Sequence, residues 1–137
     1  MTYDEMATMI RRHEGYSTKV YLDTVGVPTG GYGHAFLPGS PIPPHIADQF
    51  LWLDIKQAME DYDTLDLHLD ETRRGVIINM LFNLGKNKFL GFKKLISALK
   101  CGDYDKAHDE MLDSKWAAQV KTRAVELANI MQTGEMS

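Results

Sequence analysis

Three short runs decide the fold: Glu14-Gly15, then Tyr21-Leu22-Asp23-Thr24-Val25-Gly26, then Thr29-Gly30-Gly31-Tyr32-Gly33-His34. The first ends a helix, because Gly15 is a natural helix stop. The second passes from the strand-like Val20-Tyr21-Leu22 into residues with turn chemistry. The third holds too much glycine for a helix. Together they predict a small antiparallel hairpin sheet placed directly after an N-terminal helix.

Working outward, Thr2-Tyr3-Asp4-Glu5 reads as a capping box, with Thr2 as N-cap and Glu5 at its third position. Tyr3, Met6 and Ile10 share one face of the helix that follows. Leu37 to Pro44 is rich in proline and glycine and predicts a loop. A long helix begins near Pro43 or Pro44, where proline is tolerated in the first turn. It runs through Ile46, Phe50 and Leu53 toward Tyr62, and has the length to link two lobes. Asp70 caps a segment ending at Gly85 whose centre, Val76 to Phe82, is apolar nearly all round, as in a buried bundle helix. Further helices are expected from Gly91 to Lys100, stopped by Gly102, and from Asp103 to Leu112. Ser114 caps a short turn through Trp116, and Thr122 caps a last helix that Gly134 ends. Trp52 and Tyr62 are expected in the core. The class is α+β, with a small N-terminal antiparallel β lobe and a mainly helical C-terminal lobe joined by a long helix. One domain is expected over 1–137. Its β lobe covers about 13–45 and its linking helix 43–63. The helical lobe is made of 64–137 plus helix 2–14.

Composition excludes several classes. The 137 residues are 44% hydrophobic and 25% charged, which predicts a globular, soluble chain. No apolar run approaches the ~20 residues that span a bilayer, so no stable membrane insertion is expected. The acidic start, Met1-Thr2-Tyr3-Asp4-Glu5, lacks the basic and apolar segments of a secretory signal, so synthesis in the cytoplasm is expected. A net charge of −4 argues against nucleic acid as a partner. The single cysteine, Cys101, excludes an intrachain disulfide and any cysteine zinc cluster. His13-Glu14 begins like a zinc motif, but Ser17 stands where the second histidine is needed. His34, His45, His68 and His108 are scattered along the chain. Gly30, Gly31 and Gly33 form no phosphate loop. Neither metal nor cofactor is expected.

Glu14 and Asp23 are the candidate reacting pair, because glycoside hydrolysis needs a protonated acid and a second carboxylate on opposite sides of the scissile bond. The partial negative charge at a helix C-terminus and removal of water both favour the neutral acid at Glu14. Arg11 and Arg12 oppose them. By position alone, a solvated glutamate, an ordinary turn aspartate and a plain strand threonine are the better readings of Glu14, Asp23 and Thr29.

The pattern as a whole closely resembles the active-site region of phage-type lysozymes, the family of the T-even phage enzyme. Glu14, Asp23 and Thr29 have that family's spacing, and Thr29 to His34 carries its T-x-G-x-G-H signature. The resemblance continues through Arg73-Arg74, Ile78-Asn79-Met80, Phe82 and Gly85. It returns at Gly91-Phe92, Trp116, Arg123-Ala124 and Thr133-Gly134, and so covers nearly the whole chain in order. It implies an endolysin that cleaves the β-1,4 bond between N-acetylmuramic acid and N-acetylglucosamine in bacterial peptidoglycan with inversion. Glu14 is then the general acid, and Asp23 with Thr29 positions or activates the attacking water. Tyr32, Phe82 and Asn83 match sugar-contacting positions, although the family commonly has glutamine at Asn83. Arg123 matches an arginine that holds the lobes together near the acid. His34 and Asp54 match an ion pair between the sheet and the long helix. A monomer is expected, reaching the wall with the help of a holin-type release partner.

Three departures stand out. The segment between His34 and the long helix is short, which predicts a more open groove. The chain stops just past Thr133-Gly134, where relatives often continue. It is also acidic where many wall-lytic relatives are basic. Three activities therefore compete. The inverting hydrolase ranks first, and a weakly active or inactive peptidoglycan-binding module ranks second. A lytic transglycosylase ranks third, because it would not need Asp23.

Overall fold

Glycine and proline placement sets the first part of the chain. The computed structural model describes residues 1–23, 25–35, 39 and 41–136. Helix α1 (Tyr3–Glu14) follows Thr2, carries Asp4 and Glu5 in its first turn and Arg11, Arg12 and His13 in its last, and so opposes the helix dipole at both ends. It stops where Gly15 takes a φ of +66° and donates its N–H to the Arg11 carbonyl at 2.9 Å. Strands β1 (Ser17–Leu22), β2 (Pro28–Gly31) and β3 (His34–Ala35) form one antiparallel sheet in the order β1-β2-β3. Tyr21 pairs with Thr29 and Leu22 with Pro28, and the register shifts between Ser17 and Tyr21. Gly30 pairs with His34 across the next turn. Of the Leu37–Pro44 loop expected from sequence, positions 37, 38 and 40 lie outside the described residues, as does Thr24 of the first hairpin.

Helix α2 (Pro44–Asp63) begins at the proline the sequence marked. Its buried positions are Ala47, Leu51, Ile55, Ala58 and Tyr62, a stripe at helical spacing. The expectation that Trp52 lies in the core needs correction here. Trp52 is 47% exposed and Leu53 is also exposed, because both fall off that stripe. Trp52 instead carries the Lys56 ammonium 5.2 Å from its ring centre.

The remaining helices are α3 (Glu71–Leu84), α4 (Lys86–Phe89), α5 (Lys93–Cys101), α6 (Tyr104–Leu112), α7 (Lys115–Val120) and α8 (Thr122–Thr133). Asp70 and Ser114 cap their helices as expected, and Asp103 caps α6, each accepting an N–H from the residue three positions on. Gly102 and Gly134 end α5 and α8 in the left-handed conformation. Residues Gly75 to Leu81 of α3 are all buried, as an all-round apolar helix requires. Thr122 is not the cap of the last helix. Lys121 holds that place at φ +50° and ψ −109°, a backbone conformation unusual for a side-chain-bearing residue.

The chain divides into two compact units. The first is Tyr3–Gln57, which contains α1, the sheet and most of α2. The second is Met1–Thr2 with Ala58–Ser137. Helix α1 thus falls with the sheet, where the sequence reading grouped it with the helical lobe. In the first unit Val20, Ile42 and Ala47 form a small core with Tyr32, Ile46 and Phe50 packed on it. A Cβ at Gly31 would stand 3.0 Å from the Ala47 Cβ, so α2 lies directly against β2 and would have to give way slightly to admit a side chain there. Among the described residues, no helix is long and apolar enough to cross a membrane.

Candidate active site

Glu14, Asp23, Thr29 and Tyr32 all lie in the first unit. Glu14 is the last residue of α1 and is half-buried. Its carboxyl rests against the β2–β3 turn. A Cβ on Gly33 would lie 2.9 Å from both Cδ and Oε2 of Glu14 and 3.0 Å from its Cγ. Gly33 also has a φ of +86°. The backbone conformation favours glycine here, and a side chain at this position would displace the Glu14 carboxyl.

Asp23 opens the β1–β2 hairpin. Its Oδ1 accepts the N–H groups of Val25 at 2.9 Å and Val27 at 2.8 Å. Its own N–H donates to the Val27 carbonyl at 2.9 Å, and its carbonyl accepts from the Gly26 N–H at 3.0 Å. Gly26, at φ +85°, closes the turn. This is the aspartate turn that sequence reasoning allowed, and it fixes the carboxylate plane through one oxygen. Among the described residues, Oδ2 accepts no hydrogen bond.

Thr29 is only 6% exposed. Its hydroxyl donates to the Val27 carbonyl at 2.8 Å. Val27 thus anchors both groups, with its N–H on Asp23 and its carbonyl on Thr29. With its proton committed, the Thr29 oxygen faces any further partner as an acceptor.

Tyr32 sits in the β2–β3 turn beside Gly33. Its ring centre is 5.2 Å from that of Tyr16, with the rings tilted by 44°. The Arg11 guanidinium lies 5.4 Å from the Tyr32 centre, and Arg11 also pairs with Asp48 at 3.3 Å. His34 Nδ1 and Asp54 Oδ2 are 2.6 Å apart, and the His34 ring stacks on Phe50 at 4.2 Å. That contact ties β3 to α2 inside the same unit.

Phe82, Asn83 and Arg123 belong to the second unit. Phe82 and Asn83 are half-buried near the end of α3. The Asn83 Oδ1 accepts the Trp116 indole N–H at 2.6 Å, so the amide carbonyl fixes a buried tryptophan. Arg123 is 8% exposed and donates from Nε at 3.1 Å and from Nη2 at 2.8 Å to the Oδ1 of buried Asn79. Cys101 is exposed and free. Among the described residues, no cluster of histidine, cysteine and carboxylate side chains fits a metal ion.

One residue of the first unit escaped sequence reasoning. The Tyr21 phenol is held above its ordinary pKa, first by partial burial and then by the charges of Glu14 and Asp23. Only its place in the Tyr21-Leu22-Asp23 run pointed toward it.

Residues 11–129 match the family described as phage lysozyme. The chain is 28% identical over 161 aligned positions to the pre-baseplate central spike protein Gp5 of Enterobacteria phage T4, covering 96% of this chain and 28% of that protein. It is 31% identical over 74 residues to probable T4-type lysozyme 1 of Dictyostelium discoideum, covering 54% of this chain and 44% of the relative. It is 26% identical over 113 residues to the endolysin of Salmonella phage P22, covering 77% of each. The chain thus spans less than half the length of the first two relatives.

Proposed function

Because the chain belongs to the phage lysozyme family, we propose that it is a muramidase, a glycoside hydrolase acting on bacterial peptidoglycan. The bond cleaved is the β-1,4 link from N-acetylmuramic acid to N-acetylglucosamine, and the anomeric carbon inverts. The observation that carries this reading is the set of contacts in the first unit. Gly33 leaves room for the Glu14 carboxyl, while Val27 holds both Asp23 and Thr29.

In this mechanism Glu14 gives its proton to the leaving glycosidic oxygen as the bond from C1 breaks. A water attacks C1 from the opposite side. One of its protons passes to Asp23 Oδ2, the carboxylate oxygen outside the turn's hydrogen bonds. Its other O–H donates to the Thr29 oxygen, which is already an acceptor because its own proton is given to Val27. The water's lone pair is thereby aimed at the sugar, which is how positioning contributes to rate. Tyr32, beside Gly33, lines the same region. Phe82 and Asn83 are assigned to sugar contact, Asn83 through its amide nitrogen since its carbonyl serves Trp116. Arg123 is assigned the electrostatic support of the acid. This reading treats residues 1–137 as one lysozyme domain acting as a monomer after release by a holin-type partner. The likeness to a protein named an endolysin supports that last step.

The test is mass spectrometry of purified peptidoglycan digested by the wild type and by Glu14→Gln. Fragments with reducing N-acetylmuramic acid ends from the wild type alone are expected. Anhydro ends would replace hydrolysis by transglycosylation. Retention on the wall without cleavage by either protein would make the chain a binding module.

A further inference from the structure

We infer that Tyr21 is a substrate-binding residue of this site, its phenol O–H donating to an oxygen of the sugar held at the cleavage point. The inference rests on the reading of Glu14 and Asp23 as the reacting pair. The geometry comes from the sheet. Tyr21 pairs directly with Thr29 across β1 and β2, and partners in an antiparallel pair project from the same face. Asp23 follows two residues along the chain, just past the end of β1. The phenol therefore shares its face with the threonine that holds the water.

Three further observations point the same way. Tyr21 is 39% exposed, although a tyrosine on a half-buried sheet usually covers its ring. Its hydroxyl makes no hydrogen bond with the described residues. The charged groups whose field reaches it are Glu14 and Asp23, both of which favour its neutral, proton-bearing form. A phenol donor near the two carboxyl groups assigned to flank one sugar is placed to meet that sugar's oxygens. A ring with an exposed apolar face suits the carbon face of a saccharide, so the side chain offers both kinds of contact.

The mechanism also predicts when the bond matters. The sugar at the cleavage point flattens on the way to the transition state, and hydrogen bonds to it strengthen there. Loss of the phenol hydroxyl should therefore lower kcat more than it raises KM.

The experiment compares wild type, Tyr21→Phe, Tyr21→Ala and Glu14→Gln on soluble glycan strands stripped of peptide, with melting temperatures recorded alongside. Tyr21→Phe keeps the ring and is expected to lose roughly ten-fold in kcat, the equivalent of one hydrogen bond, with KM and Tm near wild type. Tyr21→Ala is expected to lose more and to raise KM as well, since the ring contact goes too. A fall in Tm with kcat preserved would make Tyr21 structural and overturn the inference. Wild-type kcat and KM in Tyr21→Phe, with Glu14→Gln inactive, would also overturn it while leaving the acid in place. Full activity in Glu14→Gln would overturn the site itself, and this inference with it.

Discussion

Replacing Gly33 by alanine separates backbone strain from displacement of the acid. The added Cβ would sit 2.9 Å from Glu14 Cδ and Oε2, about 0.5 Å inside the 3.4 Å at which ordinary contact begins. The carboxyl must retreat by at least that much. Reacting groups tolerate roughly 0.5 Å of misplacement, and a shift of about 1 Å can remove on the order of 100-fold in rate. Gly33→Ala is therefore expected to lower kcat by about 10- to 100-fold. The φ of +86° adds a backbone cost of roughly 1–2 kcal/mol, which lowers Tm by about 3–8 °C in a chain of this size. Gly102→Ala is the control. Gly102 also has a positive φ, +71°, but no atom within 4 Å of the new Cβ. It should show a similar loss of Tm and wild-type kcat. The assay is the initial rate of clearing of a peptidoglycan suspension at 25 °C, where both variants are folded, with thermal unfolding followed by circular dichroism. Wild-type kcat in Gly33→Ala would refute the claim that this glycine exists to seat Glu14.

Three other outcomes follow from the same contacts. Asn79→Ala removes the acceptor of two Arg123 N–H groups in a buried setting, and should cost about 2–3 kcal/mol in urea denaturation with little change in m. Lys121→Gly relieves φ +50° and ψ −109°, and should raise stability by about 1 kcal/mol after the added chain entropy of glycine is subtracted. Tyr3, Tyr21 and Tyr62 all have pKa values raised by partial burial, with neighbouring acids adding to it. A raised folded-state value means that the folded chain holds its phenol protons longer than the unfolded one. Their contribution is complete below the ordinary value of 10.0 and is lost as pH rises through the folded values. Denaturant midpoints should therefore fall above about pH 10, and spectrophotometric titration should show these tyrosines ionising later in the native protein.

What the sequence revealed was mostly local. Asp70 and Ser114 are helix caps because a short polar side chain reaches an N–H three residues on, and that depends on little else. Gly15, Gly102 and Gly134 end helices for an equally local reason. The Thr29-Gly30-Gly31-Tyr32-Gly33-His34 run marked the sheet, but not why its glycines are needed. Gly31 answers to Ala47 and Gly33 to Glu14, contacts formed only when distant segments meet. Lys121 took the cap expected of Thr122 because nothing local marks a lysine for a positive φ. The single turn Lys86–Phe89 is too short to show a period. Trp52 was misplaced by residue type, although the spacing of Ala47, Leu51, Ile55, Ala58 and Tyr62 already leaves it outside the buried stripe. Asn83 looked like a sugar contact, and only the fold shows that half of its amide serves Trp116.

The central claim is that Asp23 and Thr29 direct a water at the face opposite Glu14. Proton nuclear magnetic resonance of freshly cleaved glycan strands tests it most directly, by reading the anomeric signal of the new N-acetylmuramic acid end before mutarotation. A β-linked substrate opened with inversion must first give the α anomer, and that is the result expected. An initial β anomer would mean retention at C1, and would contradict the role given to Asp23 and Thr29.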